Sequence, residues 1–431
     1  MNRKIKGISL IVLVITIIVI IILAGAVILS LASSDVISKA NLAKESNDFA
    51  SIRQVLEMER TALQLERKTF DPTNAANVNV KIPSTYSNEI SVTNDGTVII
   101  KSVEDSKITD MANAIEKLGA VYIPKGFIVS DVSGESSKEN GLVIYDNSPV
   151  SGVVPGEVST DLDAKTTRNQ FVWVPVENYN EFVRENFNKL NQNIPPTKFI
   201  TTLPVGLNYF ELAESTVLPY EGTSTIQIEV NAMYASVKKY RGFYIARYEA
   251  SINNGVVESK KGKTACKGYK WGGAQSPVPV ASDGANGNEL DTTGAVYQSR
   301  QMYLPGSNPE GYPVSTLIYG VQWDALMRWY NAEGINVEDS RSWGNYNNST
   351  APANVDSGSL RTTGYSENWK AKNIYDIAGN VHEWTMEAFP SSCRVLRGGA
   401  FESSGGTGSW PRPAADRNYY DYYRGLMYSR F

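Results

Sequence analysis

Two acidic side chains flank a glycine turn in the segment 375–384, which reads YDIAGNVHEW. Asp376 and Glu383 can supply carboxylate oxygens, and the backbone carbonyls of Gly379 and Val381 can point in the same direction. Hard cations such as calcium take about six to eight oxygen ligands of this mixed kind. The segment therefore predicts a structural calcium site. The alternative is a buried turn in which both acids accept hydrogen bonds from backbone N–H groups.

The neighbouring segment 397–399, Arg-Gly-Gly, is predicted to have a structural role and not a catalytic one. Glycine allows a positive φ or a close approach of two backbones. We therefore expect Arg397 to pair inside the protein and the two glycines to fit a tight turn.

The scarcity of histidine and cysteine excludes several catalytic classes. Histidine occurs once, as His382, so zinc or iron sites built on two or more histidines cannot form. A Ser-His-Asp triad would have to use this same histidine. We interpret His382 instead as a residue packed inside the turn. Cys266 and Cys393 lie far apart in the sequence. They exclude a disulfide framework and leave either one bond or two separate thiols.

The C-terminal tail, residues 401–431, has the composition of a binding surface because it is rich in Ser, Gly, Asn and Tyr. Tyrosine gives large amphipathic contacts at low entropic cost, while Ser and Gly supply adaptability. The alternative is a core hairpin with ordinary surface tyrosines. The residues predicted to bind a ligand are Phe401, Glu402, Ser403, Trp410, Arg412, Asn418, Tyr419, Tyr420, Tyr422 and Tyr423.

Composition places these residues in a folded, loop-rich chain of 431 residues, with 34 glycines and 24 tyrosines. This length has room for more than one domain. The net charge is only −4, and no basic cluster follows Arg3, Lys4 and Lys6. This distribution argues against nucleic acid as a partner.

Short strands and a few helices must position the candidate residues. Alternating segments with a turn at Asn94-Asp95-Gly96 predict a hairpin, and residues 110–120 predict a short helix. Further strands are predicted in VYIPKGFIVSD, GLVIYD, NQFVWVPV and RGFYIARYEAS, and two helices near 293–303 and 321–334.

The N-terminus carries one long apolar run, with no charged residue from Ile8 to Ala32. A cleavable secretory signal has a shorter apolar core, of about 7–15 residues, whereas a membrane span needs about 20. The basic residues before the run predict a cytoplasmic N-terminus and an extracellular remainder. A plain signal anchor is one interpretation. After it, residues 34–70 contain no Pro or Gly and predict a helix that ends before Asp71-Pro72.

The first residues also resemble the N-terminus of type IV prepilins and of pseudopilins of type II secretion. The leader MNRKIKG ends in Gly7, and the apolar helix begins directly after it. The resemblance implies cleavage between Gly7 and Ile8 by a prepilin peptidase, which leaves the helix attached. Val12 stands at the fifth mature position, where the family usually has glutamate. This departure argues against assembly into a pilus.

The chain from residue 120 to 431 resembles the formylglycine-generating-enzyme-like, or sulfatase-modifying-factor, domain, which has a C-type-lectin-related fold. The resemblance rests on NIYDIAGNVHEWT (373–385), RVLRGGAF (394–401), GFYIARYEAS, STLIYGVQWDALMRW, SWGN and the final YSRF. It implies a structural calcium ion at Asp376, Gly379, Val381 and Glu383.

The same resemblance implies that the oxidase activity is absent. The family's two reactive cysteines correspond to Ser403 and Gly408, and neither can replace a thiolate. The single histidine also excludes the iron-dependent sulfoxide synthases of this fold. In this fold the tail covers the ligand face. Related domains are targets of diversity-generating retroelements, and diversification of this tail by such an element is an alternative that we keep.

Together these observations predict an α+β protein that displays a non-catalytic ligand-binding domain outside a cell. The predicted fold is a long N-terminal transmembrane and stalk helix, followed by an irregular, loop-rich C-type-lectin-like domain with short strands and two main helices. Its predicted partners are the membrane, prepilin peptidase, a protein or glycan ligand, and pilus-like subunits. The alternatives are a minor pilin or an enzyme of unfamiliar reaction on the same fold. The predicted divisions are the leader (1–7), the transmembrane helix (8–32), the stalk (33–70), a small α+β region (71–119) and the lectin-like domain (120–431).

Overall fold

The computed structural model describes most of the chain as a mixed α and β protein. The described residues are 10–32, 35–146, 167–183, 210–211, 225–253, 256–266, 295–303, 313–337, 339–350, 357–389, 393–403, 414–416 and 427–430. The predicted cleavage site between Gly7 and Ile8 lies outside them.

The apolar N-terminal run forms helix α1, Leu10–Ala32. Its described side chains extend from Val14 to Val27, and the large apolar ones among them are 47–65% exposed. Within the described residues no helix combines the length and the apolarity needed to cross a membrane. The predictions of a long N-terminal transmembrane helix and of a single-pass membrane protein are therefore wrong, and the membrane as a partner stays a prediction.

The next helix, α2, belongs to a small core of its own. It spans Asp35–Glu66 and buries Phe49, Ile52 and Leu56, which recur at helical spacing on one face. The helix ends earlier than residue 70, and Asp71 instead accepts hydrogen bonds from the first N–H groups of α3, Pro72–Asn79.

The remaining elements of this core are strands β1 (Ile90–Val92), β2 (Val98–Lys101) and β3 (Val121–Ile123), and helix α4 (Met111–Leu118). β1 and β2 form the predicted hairpin, and Gly96 has the positive φ that its turn requires. β3 lies parallel to β2, with α4 as the crossover. We call this apolar cluster, from Phe49 to Tyr122, the N-terminal core.

A second and larger core surrounds a six-stranded sheet of order β11-β17-β8-β6-β5-β4. Every neighbouring pair in it is antiparallel. Its strands are β4 (Phe127–Val129), β5 (Val143–Asp146), β6 (Gln170–Pro175), β8 (Gly242–Ala246), β11 (Val314–Leu317) and β17 (Met427–Arg430). The helices that follow the small core are α5 (Thr225–Tyr240), α6 (Ala295–Gln301) and α7 (Gly320–Ala332).

A four-stranded antiparallel sheet and two strand pairs complete the described structure and carry the candidate site. The sheet has the order β16-β15-β14-β7. Its strands are β7 (Phe210–Glu211), β14 (Glu383–Phe389), β15 (Cys393–Arg397) and β16 (Ala414–Asp416). The pairs are β9 (Ser251–Asn253) with β10 (Val256–Glu258), and β12 (Lys370–Ala371) with β13 (Ile374–Tyr375).

Candidate functional site

The YDIAGN turn connects β13 to β14 and has an unusual backbone. Asp376, Gly379 and Asn380 all have positive φ values, of 59°, 80° and 59°. A Cβ atom at position 379 would lie 2.1 Å from the carbonyl oxygen of Asn345, which approaches the turn closely. Only glycine fits this contact, so the turn is fixed against the loop that contains Asn345.

Both predicted acidic ligands of calcium lie in the protein interior. Asp376 is 1% exposed, and its Oδ2 accepts a hydrogen bond of 2.6 Å from the N–H of Gly364. Its Oδ1 has no hydrogen-bond partner among the described residues, and the same holds for both carboxylate oxygens of Glu383. Most buried side-chain oxygens have a partner, so each of these three oxygens is expected to carry a proton or to contact a cation.

Sequence reasoning missed a third buried acid, Glu249, which follows β8. Its Oε1 accepts a hydrogen bond of 3.0 Å from the N–H of Val381, and its Oε2 accepts one from Nδ2 of Asn380. The sequence did contain a sign of this residue, because Glu249 is an acid within the apolar strand segment RGFYIARYEAS. We call Glu249, Asp376 and Glu383 the carboxylate cluster.

Burial raises the pKa of every member of the carboxylate cluster. Loss of water raises the pKa of Asp376 to about 7, although the N–H of Gly364 and the charge of Lys261 oppose this shift. The pKa values of Glu249 and Glu383 are raised well above the ordinary range, first by burial and then by the negative charges of their neighbours. Without a counter-ion the cluster therefore favours bound protons.

The cluster does not by itself form a cage of side chains around a metal. Across the part of the chain that the structure describes, no three His, Cys, Asp or Glu side chains are grouped so as to hold a metal ion. The predicted set is of a different kind, since it joins two carboxylates to two backbone carbonyls. The three oxygens without partners fit such a set, and the calcium site stays a prediction.

The Arg-Gly-Gly segment packs directly behind Glu383. Gly398 has φ +83°, and a Cβ atom there would lie 1.9 Å from Oε2 of Glu383. Arg397 is fully buried and pairs with Asp324 of α7 at 3.1 Å. These contacts agree with the expected architectural role of the segment.

Three loops meet above the turn, and we call them together the loop face. They are residues 345–350, 357–361 and 401–403. Asn345 and Asn380 are buried, and Nδ2 of Asn345 donates to Oδ1 of Asn380 at 2.9 Å. The same Oδ1 accepts the N–H of Arg361 at 3.0 Å, while Oδ1 of Asn345 accepts the N–H of Gly358 at 2.9 Å. The two amides thus fasten two of these loops to the turn.

The start of the tail is the third loop. The N–H of Asn347 donates to the carbonyl of Ser403 at 3.2 Å, and its Nδ2 donates to the carbonyl of Glu402 at 2.8 Å. Phe401 and Ser403 are half-buried, and Glu402 is exposed. The other predicted ligand-binding residues lie outside the described residues: Trp410, Arg412, Asn418, Tyr419, Tyr420, Tyr422 and Tyr423, as does Gly408.

The remaining reactive side chains and cavities lie apart from the loop face. Cys266 is a free thiol, and burial raises its pKa to about 12, which makes it a poor nucleophile. Two cavities, of about 870 and 440 Å³, are lined by residues 101–112 with Lys239 and Tyr240, and by residues 175–178 with part of α7. No predicted site residue lines either cavity.

Comparison with known proteins gives little beyond these observations. No protein-family model and no curated protein matches the chain. Among solved structures, the chain is similar to Treponema denticola variable protein 1, with 17% identity and a TM-score of 0.26. The match covers 44% of this chain and 84% of the other. This similarity is too weak to assign a fold or a function, and the resemblances to prepilins and to formylglycine-generating enzymes stay predictions.

Proposed function

We propose that the chain is a non-catalytic binding protein that contacts a protein or glycan ligand through the loop face and the tail that follows it. The observation that carries this proposal is the pair Asn345 and Asn380, whose amides join loops from different parts of the chain to one rigid turn. A binding surface made of loops needs such a scaffold, because loops that are ordered in advance lose less entropy on binding.

The accessibility of the titratable groups supports a role without catalysis. The acids with the most strongly raised pKa values, Glu249, Asp376 and Glu383, are at most 1% exposed. A general acid must come within hydrogen-bond distance of its substrate. Behind Glu383 that approach is closed by Gly398, whose backbone packs against the carboxylate. The carboxylate cluster is therefore better suited to hold the turn than to transfer protons to a substrate.

We propose that a calcium ion binds at the YDIAGN turn. Asp376 and Glu383 would bind it through the oxygens that have no hydrogen-bond partner, together with the carbonyls of Gly379 and Val381. When bound, the ion would neutralise buried negative charge and so stabilise the turn beneath the loop face.

The ligand-binding proposal is tested by substitutions on the loop face that leave the scaffold intact. We expect N347A/E402A to weaken binding to the best ligand on a glycan array and a protein array by at least tenfold, with an unchanged melting temperature. The matched control is E177A, an exposed glutamate far along the chain from the loop face. Equal binding by all three proteins would contradict the proposal, and Y419A/Y422A would then test the tail separately.

A second candidate function, assembly with other subunits, is favoured by one observation. The large apolar side chains described on α1 between Val14 and Val27 are about half exposed or more, and exposed apolar surface that is contiguous often marks an interaction surface. We propose that α1 packs against copies of itself. Sedimentation of the full chain should show oligomers that I18K/I22K dissociates, whereas L65K, on the exposed face of α2, should not. A monomeric wild-type chain would exclude this candidate.

A further inference from the structure

We infer that Glu249 is a positioning residue of the proposed cation site: it holds the turn that carries the cation ligands and adds the third negative charge beneath it. This inference rests on the calcium proposal and deepens it, because the resemblance implies no role for Glu249.

The hydrogen bonds of Glu249 determine which kind of role it has. One carboxylate oxygen accepts the N–H of Val381 and the other accepts Nδ2 of Asn380. Val381 is itself a predicted ligand through its carbonyl, and Asn380 separates it from Gly379, the other one. Glu249 therefore fixes the backbone on which both carbonyls lie.

Because both oxygens of Glu249 are already used, we do not assign it as a direct ligand. This assignment separates Glu249 from Asp376 and Glu383, whose unpartnered oxygens remain available to an ion.

The charge of Glu249 matters when a cation is bound. Glu249 is completely buried, so little water screens its charge. A third carboxylate at the turn therefore attracts a divalent cation held by Asp376 and Glu383, in addition to fixing the backbone of Val381 and Asn380.

The calcium affinity distinguishes a positioning role from a merely structural one. In E249Q the amide keeps one acceptor oxygen and loses the charge, and its NH2 group faces one of the two donors that the carboxylate accepted. We expect the full chain with E249Q to melt slightly below wild type in chelator. We also expect its calcium dissociation constant, measured by titration calorimetry, to rise at least tenfold.

The matched control is E45Q in the N-terminal core. Glu45 is 3% exposed and accepts a hydrogen bond from the backbone N–H of Thr109. Glu249 accepts a hydrogen bond of the same kind from Val381. This variant should leave the calcium affinity unchanged. E249D keeps the charge with a shorter reach, so its affinity should fall between those of wild type and E249Q, and it also serves if E249Q does not fold.

Two results would overturn the inference in distinguishable ways. In the first, wild type responds to calcium, and E249Q and E249D bind calcium with wild-type affinity but melt lower than wild type both in calcium and in chelator. Glu249 is then only a structural hydrogen-bond acceptor, and the calcium proposal stands. If wild type shows no calcium response at all, the calcium proposal and this inference both fail.

Discussion

Two buried glutamates, one in the N-terminal core and one at the candidate site, are held in different ways. In the N-terminal core, Glu89 is 2% exposed, and its oxygens accept hydrogen bonds from the hydroxyl of Ser106 at 2.7 Å and the N–H of Lys107 at 2.8 Å. In the C-terminal part, Glu383 is equally buried, and neither of its oxygens has a partner among the described residues. The fold accounts for Glu89 because both of its oxygens have donors, whereas Glu383, with none, needs a further explanation, which the proposed cation would supply.

The largest effect that would test this comparison comes from closing the space beside Glu383. In G398A the new methyl group meets Oε2 of Glu383 at 1.9 Å on a backbone with φ +83°. Backbone strain and overpacking together should lower the free energy of unfolding by about 4 kcal/mol. Chemical denaturation measures this change.

The control for G398A is G134A, at a glycine with nearly the same φ, +80°, and with no atom within 4 Å of the place that the new methyl group would take. It should lose only about 1–2 kcal/mol, from backbone strain alone. Equal losses in both variants would show that the packing behind Glu383 does not matter.

The pH dependence of stability should also separate the two regions. Because the pKa of Asp376 is raised from 3.8 to about 7, the folded protein binds a proton that the unfolded chain releases near pH 4. The stabilisation is therefore present at low pH and is lost as pH rises toward 7. In chelator we expect this proton alone to contribute a loss of about 2 kcal/mol between pH 5 and pH 7, since each pH unit is worth about 1.4 kcal/mol per proton and the group is half deprotonated near pH 7.

Denaturant melts of D376N in the same buffers check this expectation. The variant cannot take up that proton, so its stability should fall by about 2 kcal/mol less than that of wild type over this range, while Glu249 and Glu383, whose pKa values are also raised, keep their own pH dependence. The control N79A removes no titratable group, only a side chain that bonds to the backbone of Val92 in the N-terminal core, so it should keep the wild-type slope. A wild-type protein whose stability is flat or rises from pH 5 to pH 7 would contradict the raised pKa.

A smaller effect is expected from the amide pair beneath the loop face. N345A leaves Oδ1 of Asn380 without its side-chain donor and the N–H of Gly358 without its acceptor. Unsatisfied buried groups of this kind cost about 1–3 kcal/mol. Thermal melting measures the loss, and N347A, on the exposed part of the same loop, should change stability by less than about 0.5 kcal/mol. Equal losses in the two variants would remove the support for a rigid scaffold.

Local patterns in the sequence predicted much of the fold. The hairpin at 90–101, the helix at 111–118 and the buried strand at 170–175 follow from turn residues and apolar periodicity, which act over a few residues. The apolar N-terminal run shows the limit of this reasoning. It is helical as expected, yet the described structure contains no helix that could cross a membrane.

The candidate site was predictable only where its residues are close in sequence. Asp376 and Glu383 stand out within one short segment. Glu249 and Asn345 both contact Asn380 of the turn, although they lie 131 and 35 residues from it in the sequence. No periodic pattern encodes such contacts, because they depend on how the sheets pack. An acid inside an apolar strand segment was the one available sign of Glu249.

Hydrogen exchange of the full chain, with calcium and with chelator, tests the central claim that the carboxylate cluster holds the loop face for binding. We expect calcium to slow amide exchange in residues 345–350 and 357–361, while exchange in the N-terminal core from Phe49 to Tyr122 stays the same. Unchanged exchange in those loops, or equal slowing in both regions, would contradict the account.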